Sequence, residues 1–228
     1  YYIFLKLLIM KLHGSNIMDN NQIGLSDQAW DEYLDVINNN NVFDCAKDSS
    51  VLELAANGGW HSRLIYNQIP SKLVCVEPDP FYKEPLQDSF LSKYDNTEYF
   101  CGTYNDFLET NNEQFDVVVC CGLLYHMHSP LDCLEKILNI HKPSTLIIET
   151  VQALLVGLSY EHTGEHGNAF NDKNKITLPY NLIIPAQNFK DILLGSGYAC
   201  SKDIDFNEQG IKHKSKKMMR MMAFTKYD

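Results

Sequence analysis

Residues 51–59 read Val51-Leu52-Glu53-Leu54-Ala55-Ala56-Asn57-Gly58-Gly59, and residues 73–77 read Leu73-Val74-Cys75-Val76-Glu77. Each is a short apolar run that carries an acid at or near its end, and the first breaks into a turn of small residues. Short apolar runs bounded by turn residues are the pattern of strands buried on both faces. Residues 59–68 between them read as a helix, so the pair forms a strand–helix–strand unit.

The same rhythm continues outward. Residues 97–101 and 115–120 (FDVVVC) read as third and fourth strands, with a short helix near Asp106 between them. A helical stretch runs from Pro80 towards Leu91. Residues 130–140 form a helix with Pro130 in its first turn, and residues 144–150 (STLIIET) a fifth strand. Upstream, residues 27–38 place Trp30, Tyr33, Leu34 and Ile37 at helical spacing behind Ser26 as cap. Residues 186–194 are a late helix, and residues 198–206 and 218–226 are two strands close enough to pair antiparallel. Strands alternating with helices predict an α/β fold, a doubly wound and mostly parallel sheet with helices on both faces. Residues 151–185 break the rhythm with an irregular, aromatic-bearing stretch, which predicts a substrate-side insertion.

A ligand of such a sheet sits at the carboxyl ends of its strands. The turn at Glu53, Ala55, Asn57 and Gly59 brings backbone there, and Glu77, about twenty residues on, is placed to accept both hydroxyls of a ribose. A pyrophosphate-bearing dinucleotide fits less well, because Ala55 and Asn57 stand where glycines are needed and Glu53 would repel phosphate. S-adenosylmethionine, with a sulfonium and an ammonium and no phosphate, suits the acidic strand end. Asn57 tolerates positive φ, so the turn remains feasible.

The stretch Glu53–Gly59 resembles the first motif of class I S-adenosylmethionine-dependent methyltransferases, with two of its glycines replaced. Val76-Glu77-Pro78 resembles the second motif and Gly102-Thr103-Tyr104 the adenine-side loop, where an Asp is more usual than Thr103. The resemblance spans residues 51–226 and implies a Rossmann-like seven-stranded sheet of order 3-2-1-4-5-7-6 with the seventh strand antiparallel. Within that class, residues 120–126 (CCGLLYH) followed by Ser129-Pro130-Leu131 are similar to the wobble-uridine carboxymethyltransferases of tRNA. So are Trp60-His61, Ser26–Asp31 and Leu182–Ala186. The resemblance implies cofactor contacts at Ala55, Glu77, Pro78, Asp79, Thr103, Tyr104, Cys121 and Tyr125, with Gly122 beside them. Ala29 occupies the place of the lysine with which that family holds the extra carboxylate of its carboxylated cofactor, and much of the family's N-terminal extension has no counterpart. A buried unpaired carboxylate is costly, so ordinary S-adenosylmethionine and methyl transfer are expected.

Tyr125, His126 and His128 follow the fourth strand beside the expected methyl group. His126 or Tyr125 is the candidate base, with pure orientation of the acceptor the alternative. Asn168 and Tyr180 are candidates for the substrate side. Glu161-His162 and Glu165-His166 repeat at four residues, but their surroundings read as a polar lid, and no metal is expected.

The chain has 228 residues, 45% apolar and 21% charged, with 19 Lys and Arg against 29 Asp and Glu. These figures exclude a disordered chain, and the net charge of −10 argues against broad wrapping of nucleic acid. No stretch approaches the ~18 apolar residues that span a bilayer. Five cations within residues 212–220 leave −15 on the remainder. Lys214, Lys216 and Lys217 therefore mark a local anion site at the mouth of the cleft, or a solvated loop. Seven cysteines, two of them adjacent, do not read as a disulfide framework and point to a cytoplasmic compartment. Residues 1–17 start without Met and are expected to be a doubtful or disordered segment ahead of a single methyltransferase domain over 18–228.

The expected function is methyl transfer to an unidentified acceptor, preferably a small molecule. The alternatives are a tRNA wobble-uridine modifying enzyme, with RNA docking through 212–220, and a non-catalytic cofactor-binding subunit. Oligomeric state is not legible in the sequence.

Overall fold

The computed structural model describes residues 27–88, 90–127, 129–152, 159–162, 180–211 and 218–227. The expectation for residues 1–17 lies outside them. The first element is helix α1 (Asp27–Asn39). Then follow β1 (Ser50–Leu54), α2 (Trp60–Tyr66), β2 (Lys72–Glu77), β3 (Thr97–Cys101), α3 (Tyr104–Thr110) and β4 (Val117–Cys121). After a tight turn at Leu124–His126 come α4 (Pro130–Lys136), β5 (Thr145–Gln152), β6 (Ser159–His162), β7 (Tyr180–Ile183), α5 (Ala186–Gly195), β8 (Tyr198–Asp205) and β9 (Met218–Lys226).

Seven strands form one sheet in the order β3-β2-β1-β4-β5-β9-β8. β1 to β5 pair in parallel, and β9 runs antiparallel to both β5 and β8. With β8 and β9 as sixth and seventh strands of the main sheet, this is the 3-2-1-4-5-7-6 order expected above. The cause is visible in the burial. β1 and β4 are covered on both faces, so their apolar residues run without alternation. Val51, Val117, Val119 and Ile147 face one core with Tyr33 and Ile37 of α1 and Ile65 of α2. Leu52, Val118, Leu146 and Ile148 face the other, with Phe107 of α3, Leu134 of α4 and Phe189 of α5.

Two expectations are corrected. The helix from Pro80 towards Leu91 is three short turns, Pro80–Tyr82, Glu84–Asp88 and Leu91–Lys93. Pro85 falls inside that stretch, where it lacks the N–H a regular helix needs and its ring crowds the preceding turn. The stretch 151–185 is not wholly irregular. β5 continues to Gln152, opposite Met218, and β6 and β7 pair as an antiparallel ribbon. β7 packs on the Leu124–His126 turn, at the carboxyl end of β4. Among the described residues, no helix is long and apolar enough to cross a membrane.

Candidate active site

The turn after β1 alternates into the left-handed region at Ala55 (φ 58°), Asn57 (φ 48°) and Gly59 (φ 81°). These are the three positions where the motif resembled above places glycines. The conformation survives both substitutions. The N–H groups of Ala55 and Ala56 donate to the Val76 carbonyl at 2.9 and 3.3 Å, which clamps the turn onto β2. The Asn57 amide donates to the Ala55 carbonyl at 3.1 Å, a local bond of the kind that lets Asn tolerate positive φ. Gly59 is required more strictly, since a Cβ there would meet Arg63 Nη1 and Leu86 Cδ1 at 2.8 Å. Arg63 in turn donates to the carbonyls of Gly58 (2.7 Å), Gly59 (2.6 Å) and Pro85 (3.2 Å) and lies 4.7 Å from the centre of the Phe90 ring.

Glu77 ends β2 with 1% of its surface exposed. Its Oε2 accepts from Asn57 N at 2.8 Å and its Oε1 from Asp79 N at 2.9 Å. Burial raises its pKa, and the two backbone donors work against that rise. Each carboxylate oxygen retains a second lone pair, so the group is held in place with capacity for two further donors. Pro78 and Asp79 are half-buried beside it. Asp79 Oδ1 accepts from Phe81 N at 2.9 Å and so orders the next turn, which leaves the Phe81 ring 62% exposed.

Three predicted contacts sit differently from a simple lining of the cleft. Glu53 points beneath the turn, 2% exposed, and accepts from Ser62 Oγ at 2.5 Å and from the Cys75 thiol at 3.5 Å. Burial pushes its carboxyl up to about 7. Its hydrogen bonds join the floor of the turn to α2 and β2. Thr103 caps α3: its hydroxyl accepts from Asp106 N at 3.2 Å, and Asp106 Oδ2 accepts from Thr103 N at 2.8 Å. Tyr104 buries its ring in the core on the α3 face, which leaves its backbone as the part that can meet a cofactor.

The residues expected on the methyl side lie at the ends of β4 and β5. Cys121 is buried, and Gly122 takes φ 73°. Tyr125 is half-buried and His126 exposed, their ring centres 4.3 Å apart. Tyr180 opens β7 opposite His162. His128, Asn168, Lys214, Lys216 and Lys217 lie outside the described residues. Arg220, the last cation of the basic run, is bound to both carboxylate oxygens of Asp203. Glu161 and His162 fall on β6, while 165 and 166 lie outside the described residues. No group of side chains among the described residues could hold a metal ion.

Sequence reasoning missed Arg63, Phe81 and Glu149. Glu149 carries a sequence signal, as a lone acid ending the run Leu146-Ile147-Ile148, which the strand pattern alone masks. It is 4% exposed, and burial pushes its carboxyl up to about 7.

A family model described as a methyltransferase domain matches residues 28–201. The chain belongs to the methyltransferase-domain family. This methyltransferase is 29% identical, over 130 residues, to the tRNA U34 carboxymethyltransferase of Helicobacter pylori, a match that takes in 55% of the chain and 49% of the relative. The chain thus spans about half the length of the curated relatives it matches. Its fold is shared with a putative S-adenosylmethionine-dependent methyltransferase from Listeria monocytogenes, with a TM-score of 0.57, 14% identity, and coverage of 81% of this chain and 93% of that one. It is shared also with the Burkholderia thailandensis 1,6-didemethyltoxoflavin-N1-methyltransferase bound to its substrate and S-adenosylhomocysteine, with a TM-score of 0.59, 13% identity, and coverage of 88% and 85%.

Proposed function

We propose that this methyltransferase uses S-adenosylmethionine, held with its ribose on Glu77 and its methionine portion over the turn at Ala55, Asn57 and Gly59. The methyl group passes to a small acceptor presented over Gly122, with Tyr125 and His126 orienting it. The observation that carries the reading is the left-handed alternation at 55, 57 and 59, locked to Glu77 by the Asn57 N–H. Methyl transfer is an in-line displacement, and holding donor and acceptor aligned supplies much of the acceleration. The cysteine pattern fits a cytoplasmic enzyme.

A second reading, modification of tRNA at the wobble uridine, is favoured by the names of the curated relatives and by the lysines of 212–217. Incubation with methyl-labelled S-adenosylmethionine, and separately with unfractionated tRNA or a low-mass cell extract, distinguishes them. Label in the low-mass fraction supports the first reading. Label in tRNA, weakened by salt, replaces it with the second.

A further inference from the structure

Three carboxylates are buried at the carboxyl ends of the strands, and they differ in one respect. Glu53 accepts from Ser62 and Cys75 through Oε2, and Glu77 accepts from one backbone donor on each oxygen. Glu149 has a backbone donor at Gly122, but its Oε1 is buried and has no hydrogen-bond partner. No Lys or Arg among the described residues pairs with it. An ionised carboxylate in that state is costly unless something else completes it.

Its position says what could. The parallel register sets Glu149 beside Cys121, the last residue of β4, and Met221 faces it from β9 without charge. Gly122 follows Cys121, and a point one Cβ out from Gly122 lies 3.6 Å from the Tyr125 hydroxyl and 3.8 Å from Glu149 Oε2. The Tyr125 hydroxyl and Oε2 of Glu149, whose Oε1 stays buried, therefore border one small space left open by the lack of a side chain, at the strand ends where the acceptor is proposed to meet the methyl group. The titratable neighbours are the Cys120 and Cys121 thiols from β4, the Tyr125 phenol from the following turn and the Tyr33 phenol from α1. Tyr33 is bonded in turn to His61 of α2 at 2.9 Å, and Glu53 of β1 acts on Cys121. All of these are neutral or anionic near neutral pH, so none supplies the missing donor as a cation.

We propose that Glu149 receives the proton of the methyl acceptor, and that the acceptor is accordingly a neutral O–H or N–H nucleophile and not an anion. The assignment rests on the methyltransferase reading above. The lone pair of the acceptor forms the new bond to the methyl carbon as the carbon–sulfur bond breaks. That electron pair stays on sulfur, giving S-adenosylhomocysteine. The acceptor proton passes to the Glu149 carboxylate and from there to solvent. The positive charge of the sulfonium favours the ionised form of Glu149 before transfer and disappears with it.

Sinefungin tests this without an acceptor, because a carbon bearing an ammonium replaces the sulfonium and its methyl. Calorimetric affinities for sinefungin and S-adenosylhomocysteine are compared in the wild type, Glu149→Gln and Glu149→Asp between about pH 6 and about pH 8.5. The expected result is a loss of about tenfold or more for sinefungin in Glu149→Gln, with S-adenosylhomocysteine unchanged within about twofold. Glu149→Asp keeps the sinefungin preference and carries the test if the Gln variant does not fold. Wild-type sinefungin affinity rises with pH across this range. The rise shrinks in Glu149→Gln to the share due to Glu53. Equal losses for both ligands, or none for sinefungin, overturn the proposal. Failure of the wild type to bind S-adenosylhomocysteine overturns the donor reading itself, and this assignment with it.

Discussion

The main-chain N–H of Asn57 and the carboxylate of Glu77, twenty positions apart in sequence, meet at 2.8 Å. The bond joins the turn after β1 to the end of β2, so the two halves of the proposed donor site are built as one unit. Whatever moves the turn moves the carboxylate, and changes in either are expected to appear in donor affinity.

Ala55 holds φ 58° with a Cβ, a conformation that costs an L-residue about 1 kcal/mol or more. Ala55→Gly is expected to stabilise the fold by about 1 kcal/mol, read as a higher urea midpoint at unchanged slope. Asn57→Gly should change little, because Asn already tolerates its φ of 48°. A destabilised Ala55→Gly would show that the Ala55 methyl group contributes more by packing than it costs in backbone strain.

Arg63 ties Gly58, Gly59 and Pro85 together from below. Arg63→Met keeps most of the volume and leaves buried carbonyls without their charged donor. The expected cost is about 3 kcal/mol in chemical denaturation, with weaker binding of S-adenosylhomocysteine because the turn loosens. A loss of stability with full affinity would separate Arg63 from the site.

Phe81 is an aromatic ring left 62% exposed two residues past Asp79, at the rim beside Glu77. If the ribose is held on Glu77 as proposed, the adenine is expected to stack on that ring. Phe81→Ala is expected to weaken S-adenosylhomocysteine binding about tenfold, the scale of one base-stacking contact, without lowering the melting temperature. Unchanged affinity would leave the ring without a role in the site.

Glu53 and Glu149 are both pushed up to about 7 by burial, from an ordinary 4.5. A carboxyl that holds its proton more tightly when folded contributes stability that is full below about 4.5 and is lost as pH rises through about 7. The wild type should therefore lose stability relative to Glu149→Gln between about pH 5 and about pH 8, measured by urea midpoints. His61, held down to about 4 by burial, acts with the opposite sign between about 4 and 6.5, but it is common to both proteins and cancels. A pH-independent difference would contradict the burial account.

The sheet was legible because strands covered on both faces, such as residues 117–121, carry unbroken apolar runs whose ends can be read within a residue or two. Glu77 was legible because an acid closing such a run has few structural uses. Other features depend on tertiary neighbours. The break at Pro85 competes with helical spacing on either side. β6, Ser159–His162, has a polar sequence and becomes a strand only by pairing with β7. The inward turn of Glu53 follows from its sharing a face with Val51, and Glu149 gains meaning only when β4 brings Gly122 and Tyr125 beside it.

The most direct test of the donor site is a calorimetric titration of the chain and of Glu77→Ala with S-adenosylhomocysteine, folding being checked by circular dichroism. Loss of two charge-assisted bonds to the ribose predicts saturable one-to-one binding by the wild type and an affinity about a hundredfold weaker in the variant. Equal affinity in the two proteins would contradict the assignment of the ribose to Glu77. No binding by the wild type would contradict the donor site as a whole.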